Sequence, residues 1–122
     1  MIKILLSFLL FIFAAPAFAG ALEDAINKND NVFLYIYTPQ CSYCTKFNPN
    51  YKKLNSVYGE KCKFVKIDGT TDYGRNLIYA FRASYVPFVI LLKSKTKKAV
   101  VIQSDCLLNY SCVSQKVNAF IR

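Results

Sequence analysis

The sequence predicts an α/β fold, a central mixed sheet of about four strands flanked by helices, on three observations. Residues 32–37, Val-Phe-Leu-Tyr-Ile-Tyr, run without polar alternation, as a strand buried on both faces does. Helical spacing, a second strand and a second helix follow in order, which suits parallel strands joined by right-handed crossovers. Two further apolar runs, 88–92 and 99–102, flank a lysine-rich tip and read as an antiparallel hairpin. With 122 residues, 54% of them apolar, the chain fills one core, and no second domain is expected.

Residues 1–19 read as a secretory signal peptide ahead of that domain. One lysine, Lys3, is followed by an apolar run over 4–13, then by Pro16 and small residues at Ala17 and Ala19. The run is shorter than the roughly 20 residues of a spanning helix, and Pro16 stops a helix near its end. The pattern predicts cleavage after Ala19 and a mature domain over 20–122, periplasmic or secreted. An uncleaved N-terminal membrane anchor is the alternative, and it exports the domain equally. The formal charge is +9, and losing Lys3 with the leader leaves the chain basic. Lys93, Lys95, Lys97 and Lys98 concentrate at the hairpin tip, where they read as a solvated face that blunts edge pairing. No nucleic-acid partner is expected.

The elements follow in order. Residues 21–28 form a short helix, ended by the polar run 27–31. The first strand stops at Thr38, Pro39 and Gln40. Phe47, Tyr51, Leu54 and Tyr58 then mark an amphipathic helix over 42–58, closed by Gly59 and bent or interrupted at Pro49. Residues 63–67 are the second strand and 68–70 a turn, and Leu77, Ile78 and Phe81 give 72–82 helical spacing. After the hairpin, a last helix over 110–121 aligns Val113, Val117, Phe120 and Ile121 on one face.

Five cysteines and no histidine exclude His-based catalysis, His-ligated metal sites and Ser-His-Asp triads, and direct attention to sulfur. Cys41 and Cys44 fall at a strand-to-helix junction, one helical turn apart on the same face. At the helix start, unpaired N–H groups and the helix dipole stabilise an anion, so Cys41 is the expected nucleophile. Cys44, one turn inside and more buried, is the expected resolving thiol, and exchange between them needs no cofactor. A plain structural disulfide and a thiolate zinc site compete with this reading. Zinc would draw two further ligands from Cys62, Cys106 and Cys112, without a second Cys-x-x-Cys, so no metal is expected.

Cys106 and Cys112 are candidates for a second disulfide. It would be either a staple across the loop entering the last helix or, if Pro87 sits beside Cys41 so that the returning hairpin strand brings Cys106 toward the same end, a second redox pair. Cys62 reads as an unpaired, partly buried thiol. Pro87, directly before a buried strand, belongs at that strand's first position, in either the trans or the cis form.

Three segments together resemble the thioredoxin superfamily over nearly the whole mature chain: Tyr-Thr-Pro-Gln-Cys-Ser-Tyr-Cys at 37–44, Pro49 five residues beyond, and Phe-Arg-Ala-Ser-Tyr-Val-Pro-Phe at 81–88. The resemblance implies a thioredoxin-like fold with Cys41 and Cys44 catalytic. It further implies Pro87 in cis against their disulfide, Val86 pairing its backbone with the bound substrate, and Pro49 as a helix-kinking proline. Tyr43 before the second cysteine and Val86 before the proline are similar to glutaredoxins; Tyr43 and Tyr85 are expected to rim the site. The chain departs from the thioredoxin pattern at Gln40, at Ser42 and Tyr43, and at Tyr35, where that family usually carries tryptophan, Gly-Pro and a buried aspartate. Proton transfer from Cys44 then falls to water or another group. Gln103, Ser104 and Asp105 stand roughly where glutaredoxins carry a glycine pair beside glutathione.

The expected function is that of an exported, monomeric protein-disulfide oxidoreductase acting on cysteine-containing exported proteins. It would be served by a redox partner protein, a membrane-bound one among the candidates. The alternative is a non-enzymatic binding module with a structural disulfide.

Overall fold

A computed structural model describes residues 20–122. The leader and its cleavage site, expected over 1–19, lie outside the described residues. β1 (Asn31–Tyr37) is an inner strand because six of its seven residues are buried, which only a strand covered on both faces and both edges sustains. The sheet has four strands in the order β2-β1-β3-β4, with β2 (Lys63–Asp68), β3 (Phe88–Lys93) and β4 (Lys98–Ile102). β2 runs parallel to β1, with Val32 opposite Lys63 and Tyr37 opposite Asp68. β3 runs antiparallel to β1, with Ile36 opposite Phe88, and β4 returns antiparallel to β3, with Val89 opposite Ile102.

Alternation along the strands sorts the core into two layers. Phe33, Tyr35, Phe64, Val89, Leu91 and Ile102 face α2 (Ser42–Tyr58), α4 (Ser104–Leu107) and α5 (Tyr110–Phe120). Val32, Leu34, Ile36, Val65, Ile67 and Ile90 face α1 (Ala21–Lys28) and α3 (Asp72–Phe81). The first layer is aromatic: Phe33 stacks on Phe64 with centroids 4.6 Å apart, and Tyr35 meets Phe47 edge-on at 4.9 Å. Among the described residues, no helix is long and apolar enough to cross a membrane.

The structure corrects three local expectations. α2 runs as one helix through Pro49, so of the bend or interruption expected there the interruption is overturned: the proline removes the amide that would otherwise bond the Thr45 carbonyl without ending the element. α3 stops at Phe81 because Arg82 adopts the left-handed conformation, φ 55°, and closes the helix through its amide on Tyr79 O. The stretch expected to be a loop before the last helix contains the short helix α4. At the other end of α3, Thr71 Oγ1 accepts from Gly74 N at 3.0 Å. A side chain at Gly74 would collide with the Asp68 carbonyl, so glycine lets α3 start tight against the end of β2.

The lysine-rich tip is partly anchored. Lys93 donates to Asn31 Oδ1 at 2.8 Å and its Nζ stands 5.2 Å from the centre of the Phe120 ring, while Lys95, Lys97 and Lys98 are exposed. The pairing registers put this tip at the N-terminal end of β1. At the opposite end they bring together the exit of β1, the start of β3 after Pro87, and the end of β4 leading into α4.

Candidate active site

Cys41 sits where β1 has ended and α2 begins, as the residue capping the helix N-terminus. A turn closed by Cys41 N on Thr38 O, 3.3 Å, delivers it there. Its sulfur accepts the backbone amide of Cys44 at 3.0 Å, the role an N-cap oxygen usually fills. An amide aimed at that atom, at a helix N-terminus, favours negative charge on sulfur. Cys41 is half-buried, whereas Cys44 is 2% exposed and packed in the aromatic layer. The two are joined by a disulfide with Cα atoms 5.2 Å apart. Cys41 is therefore the more exposed residue of the pair, and Cys44 is enclosed.

Tyr35, where the resembling family carries a buried acid, lies fully buried beneath α2. Its hydroxyl donates to Asn48 Oδ1 at 2.9 Å and reaches the Cys44 carbonyl at 3.3 Å. Burial, with Tyr37 and Tyr51 adding smaller contributions, pushes the phenol well above its ordinary pKa, so it stays neutral. Tyr35 and Asn48 thus tie the first turn of α2 to β1 without supplying a base. Sequence reasoning named Tyr35 only as a departure and missed Asn48, because one asparagine on a helix carries no pattern.

The Val86–Pro87 peptide bond is cis, and Pro87 is buried at the start of β3, which pairs with β1 near its exit. Pro87 and Tyr43 line one groove of about 330 Å³ together with Ser104, Asp105 and Leu108. Tyr43 is 56% exposed, so its ring is offered to solvent rather than spent on the core. Val86 is half-buried against the aromatic layer. Tyr85 is exposed, but it is not among the residues lining the groove. A larger depression of about 700 Å³ lies along α3, lined by Arg75, Ile78, Tyr79, Ala80, Arg82 and Ala83, and shares no residue with the sulfur site.

Cys106 and Cys112 form the second disulfide, with Cα atoms 5.3 Å apart, joining α4 to the first turn of α5. Cys106 is buried in the aromatic layer and Cys112 is half-buried. Cys62 is unpaired and more enclosed than expected, at 2% exposure. Burial pushes its thiol up to about 12, against a smaller opposing pull from Lys93, so it remains protonated and unreactive in the native fold.

The family model that matches this chain is described as thioredoxin and covers residues 15–108. Thioredoxin 2 of Plasmodium falciparum is 33% identical over 72 residues, 59% of this chain; the match covers 45% of the relative, so this chain spans about half the length of that curated protein. The first thioredoxin domain of mouse protein disulfide-isomerase A4 has a TM-score of 0.68 at 25% identity, over 83% of this chain and 70% of that one. A J-Trx1 fragment of ERdj5 has a TM-score of 0.71 at 18% identity, over 83% of this chain and 48% of the other, a likeness of fold.

Proposed function

Because the chain belongs to the thioredoxin family and carries a Cys-x-x-Cys pair at the helix start, its general chemistry is thiol–disulfide exchange, and we propose that it acts as an exported protein-disulfide oxidoreductase. The observation that carries the reading is the half-buried Cys41, its sulfur accepting the Cys44 amide and partnered by an enclosed Cys44.

In the disulfide state, a substrate thiolate attacks Cys41 Sγ. The Cys41–Cys44 bond breaks, and Cys44 leaves as a thiolate that takes a proton from solvent. A second substrate thiolate then attacks the substrate sulfur of the mixed disulfide and releases Cys41. Two electrons pass from substrate to the pair, and the substrate gains a disulfide. The reverse sequence, begun by the Cys41 thiolate, reduces a substrate disulfide. Tyr35 and Asn48 hold the turn carrying both sulfurs, and the groove beside Tyr43, Pro87 and Val86 receives the substrate chain.

Export rests on the leader pattern of Lys3, residues 4–13, Ala17 and Ala19, with a periplasmic or secreted destination. Cysteine-containing exported proteins are the substrates in this reading, and a separate redox partner, membrane-bound or soluble, resets the pair. The test is reduction of insulin by dithiothreitol, followed by turbidity. Acceleration by the wild-type chain and none by Cys41→Ser supports the enzyme; no acceleration by either overturns it in favour of a binding module.

A further inference from the structure

The groove beside the sulfur pair has a wall that belongs to this chain's own α4, and its chemistry names a substrate class, given the exchange reaction proposed above. Ser104, Asp105 and Leu108 from that segment face Tyr43 and Pro87. Leu108 is 40% exposed and Tyr43 more so, which leaves two large apolar groups partly open to solvent on one small groove. Asp105 is exposed and is in no ion pair among the described residues. One of its carboxylate oxygens accepts the Cys106 amide at 2.8 Å, which holds the group in place.

The wall itself is fixed in three ways. Leu107 is fully buried, its carbonyl accepts from Asn50 Nδ2 of α2 at 3.0 Å, and Cys106 is bonded to Cys112 of α5. A wall tied on three sides keeps its side chains oriented before substrate arrives, which reduces the ordering cost of binding. The geometry points to a groove that selects polypeptides whose reacting cysteine has an apolar neighbour and a basic residue next to that. The apolar side chain fills the space between Tyr43, Pro87 and Leu108, and the basic one meets Asp105. Lys46 stands with Nζ 5.4 Å from the centre of the Tyr43 ring, so one cation already occupies the Tyr43 side and the carboxylate side sets the charge preference.

The test uses the reduced wild-type protein and symmetrical disulfide dimers of three peptides: Lys-Leu-Cys-Leu-Lys, Glu-Leu-Cys-Leu-Glu and Lys-Gly-Cys-Gly-Lys. Second-order rate constants are read by acid quench and chromatography, each divided by that of dithiothreitol with the same dimer to remove intrinsic reactivity. Wild type is expected to prefer lysine over glutamate flanks by about fivefold, from gaining an exposed ion pair and losing a repulsion. It is expected to prefer leucine over glycine neighbours by about tenfold, from partial burial of one aliphatic side chain. Asp105→Asn should bring the charge ratio to near one, and Asp105→Lys should invert it. Leu108→Ser should lower the leucine-to-glycine ratio. A wild-type charge ratio near one, or one that persists in Asp105→Asn, overturns the inference. Hydroxyethyl disulfide separates the two levels of the argument: reaction with it but no peptide preference sinks only this inference, and no reaction with any disulfide sinks the exchange reading as well.

Discussion

Removing the second disulfide by Cys106→Ala with Cys112→Ala gives a worked expectation. The bond closes a loop of sequence separation 6. On the chain-entropy relation, a closed loop of about 7 residues corresponds to about 8 cal/mol/K, or about 2.4 kcal/mol at 25 °C. In a domain of about a hundred residues, 1 kcal/mol moves the melting temperature by roughly 4–8 °C, so the double variant should melt roughly 10–20 °C lower. Circular dichroism under non-reducing conditions reads the transition while leaving Cys41–Cys44 oxidised in both proteins. A shift under about 3 °C would refute the reasoning, since so small a change means about 0.5 kcal/mol and a bond that restrains nothing. The same variant addresses electron exchange between the two pairs. Alkylation in glutathione buffers gives the Cys41–Cys44 potential: a staple leaves it unmoved, whereas a coupled pair displaces it.

Other expectations follow from single sites. Cys44→Ser should trap a mixed disulfide on Cys41 when mixed with an oxidised protein substrate, seen as a mass adduct, and Cys41→Ser should trap none; adducts on Cys44 would reverse the assigned order. Gly74→Ala should destabilise by about 1–3 kcal/mol in urea unfolding, because the new methyl group meets backbone that cannot move aside; a neutral result would refute the close approach of α3 to Asp68. Cys62 has a native pKa raised from 9.0 to about 12. Between those values the unfolded chain has lost the proton and the native fold keeps it, so stability is undiminished below pH 9 and falls as pH rises toward 12. Tyr51 and Tyr73, raised from 10.0 to about 12, fall in the same direction from pH 10 upward. Urea midpoints of wild type should decline between pH 9 and 10 more steeply than those of Cys62→Ala, and equal slopes would count against the buried thiol. Native Cys62 should also resist iodoacetamide until the chain unfolds.

What the sequence disclosed depended on whether a residue's job leaves a repeating trace. β1 was legible because burial on both faces demands an unbroken apolar run, and α2 because Phe47, Tyr51 and Leu54 recur at the helical period. That the Pro87 strand begins near Cys41 was implied by the family resemblance and by no local pattern; in the structure, antiparallel pairing sets Phe88 opposite Ile36 near the exit of β1. α4 was not legible: four residues, Ser-Asp-Cys-Leu, are too short for periodicity, and the Asn50 bond and the Cys106–Cys112 link that support it come from elsewhere in the chain. Asn48 was invisible because its partner Tyr35 lies on another element, 13 residues away. Pro49 misled toward an interruption because helix propensity penalises it, whereas a long helix packed through Cys44, Phe47 and Leu54 tolerates one missing amide.

The hairpin turn beyond Lys93 and Lys98 stands at the far pole of the sheet from Cys41. Its outermost residues, Lys95, Thr96 and Lys97, touch neither sulfur pair nor groove. Dyes, resin linkers or a fused carrier attached at Lys97 would leave the reacting face unobstructed, so the molecule can be immobilised with every copy presenting its chemistry outward.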